Sequence, residues 1–290
     1  GQRGIVALNP GHRLGQIIGD TLEAAVKPML AGIAMQHNLY LDTKGQRAAR
    51  SGTKVSWQDG EGNTHDLDFV LERGGTETDI GHPVAFIESA WRRYTKHSRN
   101  KAQEMQGALS PLLERYRQVK PFGATIVAGE WSKPSIAQLK SQGFSVIHIP
   151  TDIVVSAFAQ HGIDIVTTEA TSDEQQAVQV ATYDRMTLGQ KAALASSLEN
   201  KAQQHFDVLL QEMRKAILRE VNRVTVLPLY GHVDSYDSLY DAISALRRFL
   251  PKSSSELQRF EIVIGYSNGD EIRADFGSSK DAVAFLDLFS

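Results

Sequence analysis

The chain has 290 residues, 31 of them basic and 34 acidic, with 41% hydrophobic residues and no cysteine. At about 150 residues per domain, this length allows one large domain or two smaller ones, and the ordinary apolar and charged content excludes disorder over most of it. Without thiols there is no disulfide scaffold, thiolate zinc site, iron–sulfur cluster or cysteine nucleophile.

No apolar run approaches the roughly 18 residues of a membrane span. The expectation is a protein without a membrane, in the cytoplasm of a prokaryotic cell. The first residues, Gly1-Gln2-Arg3-Gly4, are neither a signal peptide nor a natural initiator, which suggests a trimmed start. The net charge of −3 argues against a basic nucleic-acid binder as a whole. Charge is nevertheless uneven. Arg92, Arg93, Lys96, Arg99 and Lys101 lie within ten residues together with His97 and no acid. Either this run faces an anion or it is a solvated face.

Residues 13–37 have a helical period, with Leu14, Ile17, Ile18, Leu22, Ala25 and Val26 on one stripe, and Pro28 is expected to kink or end the helix. Gly11, Gly15 and Gly19 recur every fourth residue and mark a small-residue helix face. They do not form a phosphate loop, because no strand precedes them and no Gly-Lys-Ser/Thr follows. Two strand-like runs, 53–58 and 64–72, flank the turn Asp59-Gly60-Glu61-Gly62-Asn63 and predict a hairpin.

A loop at Arg73-Gly74-Gly75-Thr76 leads to a strand over 83–91. Ser98 is placed to cap a helix running to about Arg117. Strands are expected at 124–128, 144–149 and 163–167, alternating with helices at 135–142 and 152–160. Trp57, Trp91 and Trp131 are expected in or beside the core. The order predicts a mixed α/β domain with helices on both sides of a sheet.

A polar helix follows at 171–181, then a long helix over 187–223, with or without a break. Its stripe of Leu194, Leu198, Ala202, Phe206, Leu209, Met213, Ile217 and Val221 reads as core or as a dimer seam. The segment 224–230, with Pro228 and Gly231, reads as a linker. Beyond it come a helix at 235–249, strands at 259–266 and 271–276 around Asn268-Gly269, and a helix at 279–289. The expected divisions are 1–170, 171–231 and 232–290.

Strand alternation places Asp66, Asp68 and Val70 on one face, and Val84, Phe86, Glu88 and Ala90 on another. Neighbouring strands thus each deliver a carboxylate from within an apolar run. A divalent cation would offset the desolvation cost, since hard cations take oxygen ligands. Equally, Glu88 would sit at a solvated strand end or pair with an arginine.

Asp68-Phe69-Val70-Leu71, about twenty residues, Phe86-Ile87-Glu88-Ser89-Ala90 and then a basic helix together resemble the PD-(D/E)XK nuclease superfamily, which includes many restriction endonucleases. The helix, three-strand meander, helix and strand of that family's core match the order read over residues 13–130. The resemblance implies a restriction-endonuclease-like mixed sheet flanked by helices, here followed by a long helix and a small α/β C-terminal unit. It implies Asp68 and Glu88 as Mg²⁺ ligands, with the carbonyl of Ser89 completing the shell. Asp66 is an alternative or second ligand, and Glu23 matches an accessory acid of the first helix.

The family's lysine position is occupied by Ala90. Either the site is silent or the lysine has migrated. Lys101 lies one turn before Met105 on the core face of Met105, Ala108, Leu109 and Leu112, so it points toward the sheet. Lys96 is the second candidate, and Lys101 also reads as a snorkelling surface lysine.

Arg92, Arg93, Lys96 and Arg99 would contact DNA phosphates, and base readout would fall to 73–81 or 46–54. The expected activity is Mg²⁺-dependent cleavage of double-stranded DNA by a homodimer, as in type II restriction enzymes. The rivals are a catalytically silent DNA-binding module and a nuclease subunit of a larger defence or repair complex.

Overall fold

A computed structural model describes residues 9–165, 170–228, 233–248 and 259–290, with Pro228 by its backbone alone. By packing, the chain divides into two compact units, 1–114 with 121–213, and 115–120 with 214–290.

The first unit opens with α1 (Pro10–Gln36), capped by the Asn9 side chain, which accepts from the backbone N–H groups of Gly11 and His12. Its predicted stripe is buried, and the helix runs on through Pro28. Asn38, at φ 53°, takes the left-handed turn that ends it. The chain then forms β1 (Leu39–Thr43), a strand not anticipated from sequence, and β2 (Val55–Gln58), β3 (Thr64–Leu67), β4 (Phe69–Arg73) and β5 (His82–Arg92). After a short 3₁₀ turn come α2 (Ser98–Arg115), β6 (Phe122–Gly129), α3 (Lys133–Ser141), β7 (Ser145–Ile149) and α4 (Thr151–Ala159). The residues 163–165 form no strand, and the rest of that predicted strand lies outside the described residues.

The main sheet has the order β1-β4-β5-β6-β7. The first two pairings are antiparallel and the last two parallel, the latter bridged by α2 and α3. This is the mixed sheet flanked by helices that the sequence predicts. Both neighbours of β5 are buried strands, and Phe86 and Ile87 are fully buried at its centre.

Helix α1 packs on β5 and β1, and α5 (Asp173–Asp184) and α6 (Leu188–Lys201) pack on α1. Each of these two helices starts in a capping box, Ser172 with Gln175 and Thr187 with Gln190. The long helical stretch is two helices. Ala202, at φ −91° and ψ 4°, ends α6, and α7 (Gln203–Ile217) follows. The apolar stripe continues across this break, with Leu194, Leu198, Ala202, Phe206, Leu209 and Met213 all buried. It is core.

The second unit contains β8 (Val221–Pro228), β9 (Asp234–Tyr236), α8 (Leu239–Arg248), β10 (Phe260–Tyr266), β11 (Glu271–Phe276) and α9 (Ser279–Asp287). Its antiparallel sheet has the order β11-β10-β8-β9. Residues 221–228, read from sequence as the end of a helix and a linker, are therefore an interior strand. Val224 and Val226 join Ile262, Ile264, Leu246 and Phe285 in its core. Among the described residues, no helix is long and apolar enough to cross a membrane.

Candidate active site

Asp68 stands between two strands that belong to different sheets. The strand β3 pairs only with β2 in a two-stranded ribbon, and β4 enters the main sheet one residue later. Simple alternation through Asp66, Asp68 and Val70 is broken at this junction. Asp66 points outward, where Lys54 Nζ lies 2.7 Å and Ser56 Oγ 2.6 Å from its carboxylate. Both contacts hold its pKa below the usual range. Asp66 is thus the ribbon's cross-strand partner and is engaged away from Asp68. Asp68 instead turns to β5. Its Oδ2 accepts from the Ser89 backbone N–H at 2.7 Å and from Ser89 Oγ at 3.0 Å. Ser89 therefore fixes the orientation of this carboxylate.

Glu88 is 9% exposed. It shares a hydrogen bond with Asp68. Burial first, and then the charge of Asp68, push its pKa up to about 9, while Lys101 acts in the opposite direction. On α1, Glu23 is raised to about 7 by burial, then by Asp68 and Asp20, with Lys44 opposing. The charge of Asp68, at the β3–β4 junction, is thus felt both by Glu23 on α1 and by Glu88 on β5. Glu88 is neither at a solvated strand end nor paired with an arginine.

Lys101 is 20% exposed and donates to Glu104 Oε1 at 2.8 Å, one turn further along α2. Its charge is felt at Glu88, so it lies on the site's side of α2. Lys96 sits in the turn before α2, exposed, with its ammonium 5.3 Å from the centre of the Tyr94 ring. Ser98 does not cap α2. It is fully buried, and its hydroxyl donates to Thr95 O and bonds Ser135 Oγ at the start of α3. That contact ties the first turns of α2 and α3 together and sets where Lys101 emerges.

The end of β5 is held as firmly. Gly129 adopts φ +89°, and a Cβ there would collide with the Arg92 carbonyl and the Trp91 ring. The backbone N–H of Glu130 donates to the Arg92 carbonyl at 2.8 Å. Trp57, Trp91 and Trp131 are all buried, as expected.

A cleft of about 450 Å³ opens between α1 and the segment after β5, lined by Arg92, Arg93, His97 and Lys101 on one side and His12 and Gly15 on the other. A second hollow of about 290 Å³ shares Lys101, Arg92, Gly15 and His12 and reaches Ser89 and Ala90. Burial lowers the pKa of Arg92, against the pull of Glu104. Arg99 is exposed on the first turn of α2 and does not line either hollow.

The loop 74–81 lies at the other end of β4 and β5, about 20 Å along the strand from Glu88 at roughly 3.3 Å per residue. Arg47 stitches it to the loop after β1 through Glu72 and the carbonyls of Thr76 and Asp79. Of the two segments assigned to base readout, 73–81 is thus remote from the acids.

The donor set is oxygen-only. Asp68 and Glu88 are two carboxyl groups whose charged forms repel, a conflict that a hard divalent ion keeping several of its waters would relieve. Among the described residues, no group of three histidine, cysteine or acidic side chains is arranged to hold a metal ion. Asp68 and Glu88 are the oxygen donors here that would suit a hard cation. Lys44, Asp20, Glu104 and His12 were not anticipated from sequence. Lys44 and Asp20 join the site only through the unforeseen β1 and the facing side of α1.

No family model matches the chain, and no curated protein matches it. A solved structure described as a protein of unknown function, AF1548, is similar at 12% identity, covering 67% of this chain and 98% of that one, with a TM-score of 0.28.

Proposed function

We propose that the chain is a Mg²⁺-dependent endonuclease that hydrolyses phosphodiester bonds in double-stranded DNA, acting as a homodimer in the cytoplasm of a prokaryotic cell. The observation that carries this reading is the meeting of Asp68, at the β3–β4 junction, with Glu88 of β5, and Lys101 acting on Glu88. Bound there, Mg²⁺ would polarise a phosphate oxygen and acidify water.

The chain's own groups divide the remaining work. Ser89 holds Asp68 in one orientation. Lys101 supplies positive charge toward the phosphate as negative charge grows on it. Glu23, with a pKa of about 7, takes up a proton near neutrality. In the reaction the water oxygen bonds to phosphorus, one P–O ester bond breaks, the water's proton passes to a carboxylate or solvent, and the leaving sugar oxygen takes a proton from solvent to become a hydroxyl. Arg92 and Arg93 meet flanking phosphates from the cleft wall, and Lys96 and Arg99 do so from the surface. Two such sites related by a twofold axis would cut both strands.

A second reading, a DNA-binding module without catalysis, is favoured by Ala90 standing where the family has lysine. Plasmid cleavage separates the two. Supercoiled DNA is expected to be cut with Mg²⁺ and left intact with EDTA. Asp68→Ala and Glu88→Ala should each lower the rate at least about a hundredfold while DNA binding persists. Lys101→Ala should cost about as much and Lys96→Ala less than about threefold. Normal cutting by Asp68→Ala would reject the assignment.

A further inference from the structure

The cleft beside the acids has a composition that phosphate binding alone does not explain. One wall is aromatic and cationic. Trp91 and Tyr94 line it with His97, and the Tyr94 and His97 rings lie 6.4 Å apart. Arg93 stands 5.9 Å from the centre of the Tyr94 ring. The opposite wall, on α1, carries His12 and glycine backbone. Gly15 lines the cleft, and a Cβ built on it meets nothing within 4 Å. Gly19, one turn on, lines the adjoining hollow and is equally open. Continuing that helical row by four residues reaches Glu23, whose carboxyl group is coupled to Asp68. The cleft is thus a slot leading to the acids, with π-faces and guanidinium groups on one side and, on the other, His12 beside a row of glycines.

A further observation points to an occupant. The Trp91 indole N–H is buried and has no hydrogen-bond partner, although Trp91 forms part of the lining of both hollows and is only 7% exposed. Buried donors are nearly always paired. A polar ligand edge in the slot would give this donor a partner after a small shift of the ring.

From these features we infer that the cleft is a binding site for one unpaired nucleotide next to the scissile phosphate. The favoured substrate would then be DNA with a base out of its stack beside the cut, not a continuous duplex. This rests on the proposed nuclease reading and extends it to substrate class. A hollow of about 450 Å³ is large enough for a nucleotide. A base between Tyr94, His97 and the α1 backbone gains stacking without sequence preference, and Arg92 and Arg93 meet its phosphate. Leaving Gly15 and Gly19 without side chains keeps the slot wide enough for the sugar.

The test uses the full chain in EDTA, so that affinity is read without cleavage. Fluorescence anisotropy would compare a labelled 20-mer duplex carrying one unpaired central nucleotide with its fully paired counterpart. The unpaired form is expected to bind about tenfold more tightly. Gly15→Leu fills the slot from α1, and Tyr94→Ala removes a stacking face. Each should erase most of that preference while changing affinity for the paired duplex less than about twofold. Gly15→Leu sits in an open helical position, and an unchanged melting temperature verifies its fold. Equal affinity for the two duplexes, binding of neither, or a preference that survives both variants overturns the proposal. A parallel assay in Mg²⁺ separates the two ideas. Preference without cleavage retains the subsite and sinks the nuclease, and cleavage without preference does the reverse.

Discussion

Glu88 is a carboxyl group whose charged form is opposed both by burial and by Asp68. Glu23 is opposed in the same sense, more mildly. Both folded-state pKa values lie above the ordinary carboxyl range, so between that range and the raised values the folded chain binds more protons than the unfolded one. Stability of the metal-free protein should therefore fall as pH rises, through about 7 for Glu23 and on through about 9 for Glu88. Thermal unfolding in EDTA from pH 5 to pH 9 reads this directly. The melting temperature is expected to drop, and Glu88→Gln should flatten the upper part of the drop. A melting temperature that rises over that window would contradict the charge arrangement. At this scale much was legible. The spacing of Asp68 and Glu88 marks two acids within apolar runs, and Lys101 falls on the inward side of its helix. Ser98 was legible only as a helix-starting residue. Its burial against Ser135 depends on α3, thirty-odd positions away, and leaves no local signal.

Among the elements, the break between β3 and β4 sends the two aspartates to different partners. A continuous strand would have put Asp66 and Asp68 on one face. The switch of pairing partners after Leu67 sends Asp66 to Lys54 and frees Asp68 for Ser89. Period-two patterning cannot report such a switch, because both strands look alike in sequence. Residues 221–228 read as the end of a helix and a linker for a different reason. Pro228 and Gly231 suggest a linker, but Pro228 is the last residue of β8, where a missing N–H is tolerated, and Val224 and Val226 face a core.

The buried group of Arg47 with Asp42 and Glu72 fastens two loops at the far side of β1 and β4. It was not singled out from sequence, since its members are scattered and only the fold assembles them. Removing one partner of a buried ion pair costs about 3–5 kcal/mol, whereas an exposed pair contributes at most about 1 kcal/mol. Chemical denaturation should accordingly find Arg47→Ala severely destabilised and Asp66→Ala within about 1 kcal/mol of the parent. Asp66→Ala should also keep plasmid cleavage within about threefold. Loss of cleavage in Asp66→Ala would return that residue to the ligand set.

For the whole molecule, a net charge of −3 coexists with a cationic run placed next to the acids. DNA affinity should then come from that run, and its salt dependence should count the phosphates met there, at a slope of about −0.9 per contact in a double-logarithmic plot. Arg99→Ala is expected to make the slope shallower by about one contact without altering thermal stability. An unchanged slope would place the DNA elsewhere. The mixed α/β architecture was legible from the alternation of elements in chain order. The boundary near residue 213 was not, because α7 runs from one compact unit into the other and carries an unbroken apolar stripe.

The central claim is that Asp68 and Glu88 jointly hold one divalent ion. Calorimetric titration of the full chain with Mn²⁺ at pH 8 tests it most directly. The account predicts one ion per chain, with proton release on binding because Glu88 is largely protonated beforehand, and loss of that binding in both Asp68→Asn and Glu88→Gln. Wild-type affinity and stoichiometry in both variants would contradict it.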